Sequence, residues 1–580
     1  MVCCSVVVAT AILSAASAAP SEPGPVAQHT QPADGSTQTG APRAPERPDG
    51  ATESRTPSAP SDPSAASPPP AQLVRFDIDE YRVEGADRLP QIEVEEAVYP
   101  FLGPNRTSSD VEKARAALEK AYHDKGFQTV GVSVPPQDAR RGFIVLKVTE
   151  NTVGRLRVKG SRYFDLEQIK RKVPSLREGN LPNFKDVTKD IVSLNQWPDR
   201  RVTPSLRAGT KPGTVDVDLN VEDKVPLHGS AELNNRQSPS TTPLRASVSL
   251  RYDNLWQRGH SLNVLYQEAP MRREDTSVIS ASYLARTHWD HVNLLVYGLK
   301  SNSSVATVGG ANVVGPGQVV GGRAVITLPN RGELFHTLSV GADYKDFQQT
   351  LSLGQDEFSS PVVYVPLVAT YGATWQGEGS LTQLNATISA GVRGLGSDPQ
   401  EFDAKRYKAT ASFITLRGDI AHTRDMPHGF QLYGKVQGQI ADQPLVSSEQ
   451  FSLGGLDTVR GYLESEALGD YGVAATAELR TPNLAPRFEQ TFERDGRDPA
   501  KVNVIDDWRF FVFADAGRVR IFDPLIEQQA QFDLASYGVG TRVKLLQYLQ
   551  GMILVGIPLV SQQVTVANEP RVSFRVWGEF

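Results

Sequence analysis

From about Pro226 to Phe580 the chain is written in period two. Leu244, Ala246, Val248, Leu250 and Tyr252 alternate with Arg245, Ser247, Ser249 and Arg251. Leu432, Gly434, Val436, Gly438 and Ile440 alternate with Gln431, Tyr433, Lys435, Gln437 and Gln439, and Tyr537, Val539, Thr541, Val543 and Leu545 with Gly538, Gly540, Arg542 and Lys544. Successive side chains of a strand point to opposite faces, so each segment makes one apolar face and one charged or small face. Segments of about ten residues with this pattern are long enough to cross a bilayer as tilted strands around a polar lumen. No stretch approaches the ~18 uninterrupted apolar residues of a membrane helix; the best, Met552 to Val560, is broken by Gly556 and Pro558. A soluble sandwich also alternates, and the two ends of the chain argue against it.

At the N-terminus, Val6 to Leu13 is an apolar core followed by Ala16-Ser17-Ala18, the small-residue pattern of a secretory cleavage site, which predicts a signal over 1–19. Cys3 and Cys4 lie inside it, so the mature chain is expected to carry no thiol chemistry. The last residues alternate again: Val572, Phe574, Val576, Gly578 and Phe580 share a face opposite Ser573, Arg575 and Glu579. A terminal phenylalanine on such a strand resembles the signal by which bacterial outer-membrane proteins are recognised for assembly, with Phe574, Val576 and Phe580 as its residues. A net charge of -6 gives no reason to expect a nucleic-acid partner.

Residues 20–72 are rich in Pro, Ser and Ala with almost no large apolar side chain, which predicts a disordered linker. Residues 73–151 change texture. Phe76 to Gly85 reads as a strand and Leu89 to Phe101 as a short helix. Ser109 and Glu112 have capping-box spacing and open a helix with Val111, Ala114, Leu118, Ala121 and Tyr122 on one face, stopped by Gly126. Val130–Val134 and Phe143–Val148 read as strands. Residues 152–224 repeat the order strand, helix, helix, strand, strand. The two units resemble POTRA domains, the periplasmic modules that precede certain outer-membrane barrels, and Tyr122-x-x-x-Gly126-Phe127 matches their pattern.

The most specific stretch is Pro444-Leu445-x-x-x-Glu449-Gln450-Phe451-x-Leu453-Gly454-Gly455-x-x-Thr458-Val459-Arg460-Gly461-Tyr462. Downstream, an alternating run carries Phe513-Ala514-Asp515-Ala516-Gly517, with Phe513, Asp515 and Gly517 on one face by parity. With the segment around Leu206–Thr214, where Ala208 replaces a proline, and the turn Asp253–His260, the chain resembles the two-partner secretion transporters of the haemolysin secretion/activation type. That resemblance covers about 73–580 and implies a mainly β fold: two α+β POTRA domains (73–151 and 152–224), then a transmembrane β-barrel of about 16 antiparallel strands (225–580). Sixteen strands leave about 22 residues for each strand and its connection. It also implies that Val459, Arg460, Gly461 and Tyr462 tip a loop folded into the lumen, with Arg460 paired to Asp515 on the wall motif of Phe513, Asp515 and Gly517. A guanidinium offers a planar fork to a carboxylate, and a narrow lumen screens the pair less than bulk water does.

The sequence departs from the family in three places. The first hairpin, Asn234 to Pro239, lacks the usual glycines; Asn483 to Asp507 is a charged insertion, expected as a loop on the periplasmic side; and 20–72 shows no amphipathic period for a lumen-plugging helix. Gly429 to Val436 resembles a phosphate loop but lacks its Ser/Thr and sits on an alternating segment. His288 and His291, read as strand residues, fall on opposite faces, so no metal site is expected. No catalytic or cofactor site is expected either. The resemblance implies an outer-membrane pore, its POTRA domains in the periplasm, exporting an unfolded, β-helical secreted partner; outer-membrane lipid and the barrel-assembly machinery would be its other partners. An outer-membrane protein assembly insertase of the same superfamily is the alternative.

Overall fold

The computed structural model describes residues 75–580, apart from 139–140, 240, 290, 304, 309–310, 315, 349, 354–355, 360, 486–489, 493–499, 503 and 527. The signal, the linker and any plug helix within 20–72 fall outside the described residues.

In the first unit the strand Glu80–Glu84 lies parallel to Phe143–Glu150, which also pairs antiparallel with Val130–Ser133. The helix Ser108–Asp124 buries Val111, Ala114, Leu118 and Tyr122 against them, the 3.6-residue stripe its sequence carries. Its cap is Thr107 with Asp110, not Ser109 with Glu112. Thr107 is extended (φ -121°, ψ 167°), so Asp110 falls at the third helical position and accepts the Thr107 N–H at 3.0 Å. Glu112, two residues further in, turns to Arg115 instead. In the second unit, Thr152–Lys159 is parallel and Arg200–Ala208 antiparallel to a central Thr214–Asp223. The helices Leu166–Arg171 and Phe184–Leu194 open on Asp165 and Asn183, whose side chains accept from Gln168 and Lys185 N–H groups.

Gly126 ends the long helix with φ +100°, and its carbonyl accepts the Phe184 N–H at 2.8 Å. The Asn183 amide donates to Lys125 O at 3.1 Å, and a Cβ on Gly126 would overlap that side chain. This glycine therefore stops one helix and seats the next unit on it.

Sixteen antiparallel strands, from Leu227–Asn234 to Arg571–Glu579, close into one barrel. Val248, Leu250, Val436, Val512 and Val539 are 49 to 56 % exposed on its outside, whereas Arg323, Gln439, Glu478, Asp515 and Ser536 are 3 % exposed or less on its inside. That inversion of the soluble pattern is what a hydrocarbon surround selects. The lumen wall is not polar throughout, however. Val278, Leu295, Tyr297 and Val319 form an apolar inner patch on the fourth to sixth strands. It is covered by Phe402, Phe413, Leu445 and Val446 from connections on the side away from the two α+β units, so loops folded inward replace water there. Parity reports which face a residue occupies; it does not report what else enters the lumen.

The closing seam pairs Arg575 to Glu579 with Asn234 to Ser230. Phe580 and Gly229 continue it through reciprocal N–H···O bonds of 3.0 and 3.1 Å. At the other end the Asn235 side chain stands in for a strand residue: it donates to Val572 O (2.9 Å) and accepts from Phe574 N–H (2.9 Å). Val576 and Phe580 are exposed on the lipid face, and the Phe580 ring lies where a Cβ of Gly229 would be.

Two local expectations need correction. Asn483 to Asp507 is not simply a loop: Gln490–Phe492 pairs with Ala500–Val502, and the next strand already begins at Ile505. His288 and His291 lie in the turn between Ser277–Arg286 and Val292–Ser301, where strand parity does not apply. Overpacking costs about 1–3 kcal/mol. The share of folded, heat-modifiable barrel on gels should therefore fall with Gly229→Val and stay level with Gly322→Val, where nothing lies within 4 Å of the added carbon.

Candidate functional site: a loop clamped across the lumen

The connection 442–470 joins the eleventh strand, Gln431–Ala441, to the twelfth, Tyr471–Arg480, and runs inside the barrel. Only Asp442 and Asp457 in it are exposed. A short hairpin, Phe451–Leu453 with Ala467–Gly469, stiffens its stem. Asp470 fastens the base: its carboxylate accepts from Leu445 N–H (3.0 Å), the Gln450 amide (2.9 Å) and Phe522 N–H (2.7 Å).

Each residue of the tip makes a different contact with one wall. Val459, fully buried, packs with Leu453, Val519 and Leu534. Arg460 forks onto Asp515 through Nε to Oδ2 and Nη2 to Oδ1, both 2.8 Å, and its backbone N–H also donates to Oδ2 at 3.0 Å. Its guanidinium lies 3.7 Å from the centre of the Phe513 ring. Gly461 (φ +92°) touches the backbone of Gly556; a Cβ on either would press into the other. The Tyr462 hydroxyl donates to Val560 O at 2.8 Å and accepts from Val560 N–H at 3.1 Å. Gly517 leaves room for Leu453 and Val459. Val459 and Arg460 thus meet Phe513, Asp515 and Gly517 in one place, while Gly461 and Tyr462 reach Gly556 and Val560 further round the wall.

Two carboxylates complete the arrangement: Glu478, outside the sequence motifs, and Glu449, which lies in the motif but carries no role there. Glu478, on the neighbouring strand, accepts Arg460 Nη1 at 2.6 Å and also takes Arg480 (2.7 Å) and Arg542 (2.8 Å). Its lumen parity could have nominated it, but nothing in the chain says that three arginines converge there. Glu449 holds the other end of the loop. It accepts Lys345 Nζ at 3.0 Å and the Tyr364 hydroxyl at 2.6 Å, from the seventh and eighth strands. The twelfth and thirteenth strands hold the tip, so the loop is tied to two separate walls. The hairpin 234–239 adds Arg236, which pairs with Glu464 at 2.9 Å and with Asp457. A cavity of about 340 Å³ remains beside the tip, lined among others by Tyr433, Glu478, Arg542 and Trp577.

This lumen loop on a POTRA-plus-barrel frame is matched by the sequence model of the haemolysin secretion/activation proteins ShlB/FhaC/HecB, over residues 213–543. The chain belongs to that family. A ShlB-type POTRA domain matches 76–151. The outer membrane transporter CdiB of Dickeya dadantii is 21 % identical over 440 residues, covering 70 % of this chain and 72 % of the relative. The heme/hemopexin transporter protein HuxB of Haemophilus influenzae is 20 % identical over 400 residues, covering 67 % of this chain and 69 % of the relative. The solved structure of CdiB from Escherichia coli shares the fold, with a TM-score of 0.58 at 17 % identity over 89 % of this chain and 93 % of that one. The protein is accordingly an outer-membrane transporter with periplasmic POTRA domains, and the far-side loops are extracellular.

Breaking a buried ion pair from one side costs about 3–5 kcal/mol because the other charge stays buried. Arg460→Ala and Asp515→Ala should each lower the thermal stability of the purified barrel, and the double variant should lose little more than either alone. Additive losses in that cycle would show that the two groups do not act as a pair. Glu478→Gln should weaken the tip less than Asp515→Ala, since Asp515 still holds the fork.

Proposed function

We propose that this transporter exports a secreted partner protein across the outer membrane and that the loop 442–470 is its gate. Family membership carries the export of a partner. The gating assignment rests on one observation: the loop crosses the lumen and is tied at Arg460 to one wall and at Glu449 to another. A polypeptide cannot pass until that crossbar moves. Both ties are charge pairs between side chains, and such ties can be exchanged for others without breaking any strand of the barrel.

The partner is read as unfolded and β-helical once outside. Its extended segments would add to exposed sheet edges of the POTRA domains, where main-chain hydrogen bonds supply affinity. Folding on the far side then supplies direction, and no catalytic step or cofactor is assigned to the chain. Outer-membrane lipid against the apolar face and the assembly machinery that inserts the barrel are its remaining partners. The short seam of five residue pairs is the feature an assembly insertase would use, and that reading is the competitor.

Deleting the gene should leave the partner in the periplasm. Wild-type protein should restore it to the medium, and Arg460→Ala should not. A partner still found outside the deletion strain would remove the export reading, and loss of other outer-membrane barrels instead would favour the insertase. In planar bilayers Glu449→Gln should raise the frequency of large openings over wild type, by freeing the end of the crossbar opposite the tip.

A further inference from the structure

The first periplasmic turn of the barrel carries an unexplained strain. Trp256 and Gln257 both have positive φ, +60° and +55°, which side-chain-bearing residues rarely adopt in succession. Asn or Gly is the usual choice at such positions. Among the described residues the other adjacent pair, Leu546-Gln547, sits under a docked segment, with Leu546 N–H donating to Val504 O at 3.0 Å. The Trp256-Gln257 turn is docked as well, against the second POTRA domain.

The contacts are specific. Gln257 Oε1 accepts the backbone N–H of Asp165, the capping residue of helix Leu166–Arg171, at 3.0 Å. Gln257 Nε2 and Asn254 Nδ2 both donate to Tyr163 O, at 3.1 and 3.2 Å. The indole of Trp197 occupies the space a Cβ on Gly259 would need. It is stacked between Arg200 at 4.3 Å and Arg286 at 5.7 Å, and touches Phe164. Arg286, on the fourth strand, donates to Gly259 O at 3.0 Å. Arg200 stays charged at neutral pH although burial, with Arg286 close by, pushes its guanidinium down to about 10. A second tie lies beside the turn. His228 of the first strand meets Asp199 of the POTRA domain at 3.0 Å and Asp253 at 3.4 Å, while Arg251 holds Asp253 at 2.9 Å.

We propose that the turn Asn254–Gly259 is a socket that fixes the second POTRA domain in one orientation beneath the lumen, with Asn254, Gln257, Gly259 and Trp197 as positioning residues for transfer of the partner into the barrel. The socket rests on the export reading for its purpose, but its geometry is independent of it. None of its residues touches the lumen loop or closes the barrel. Loss of the socket leaves strands and gate intact and lets the domain swing on the linker at Lys224–Pro226.

The test uses the full-length protein in detergent with nitroxides on Lys211→Cys and Arg331→Cys, one on the POTRA domain and one on a neighbouring periplasmic turn. The unaltered socket should give one narrow distance distribution. Gln257→Ala and Gly259→Ala should each broaden it and cut export of the partner severalfold, with heat-modifiable migration unchanged. Trp197→Phe should keep most of the narrow component, and Trp197→Ala should lose it. A distribution that stays narrow in both Gln257→Ala and Gly259→Ala overturns the socket, as does undiminished export from variants whose distribution has broadened. If the unaltered protein exports no partner, the export reading fails while the distance measurement still decides the socket's geometry.

Discussion

A strand that crosses hydrocarbon has nowhere to put an unpaired N–H or C=O except another strand. Everything else in this protein follows from meeting that constraint by closure. Sixteen strands pair around a ring, and the ring has a joint where the first and last strands meet over few residues. The joint is reinforced from outside the ladder, by the Asn235 side chain at one end and by Phe580 lying over Gly229 at the other. Because most apolar side chains face the lipid, the lumen inherits the charged ones, and their pairing joins the apolar patch under Phe402 and Phe413 in holding its loops.

The lumen loop uses that interaction economically. Arg460 receives a two-point fork from Asp515, a third acceptor from Glu478 and an aromatic face from Phe513. A buried cation with so many partners recovers through them what it loses by leaving water, and its neighbours lose much if it departs. The tie at Glu449 is simpler, one ammonium and one phenol. The two ends of the crossbar therefore differ in strength, and the Glu449 end is the one with fewer bonds to exchange.

Outside the membrane the same chain solves a different problem. The two POTRA domains have small separate cores, so their direction relative to the barrel is set by contacts at their ends. Gly126 against Asn183 joins the first to the second, and the strained turn at Trp256-Gln257 joins the second to the barrel. Backbone strain at the turn is offset by hydrogen bonds that exist only when the domain is docked.

The sequence by itself determined the barrel, the order of elements in the second POTRA domain and the faces of most strands, because period-two and period-3.6 patterns are local and each side chain's exposure depends on its immediate neighbours. In the first domain it missed the short strand Gly103–Arg106, which pairs with Phe76–Ile78. It also named Val459 to Tyr462 and the wall residues Phe513, Asp515 and Gly517, since these lie in short motifs. It misplaced the helix cap by two residues, where a Thr107–Asp110 pair competed with Ser109–Glu112 and the extended backbone at Thr107 decided. Only the tertiary structure brought in Glu478 and the Trp197 socket, and only it gave Glu449 and Arg236 their partners. Glu478 reaches Arg460 and Arg542, Glu449 reaches Lys345, and Arg236 reaches Glu464, partners 18 to 228 positions away along the chain. Which strands face each other across a closed ring is fixed by the whole ring and not by any stretch of the chain.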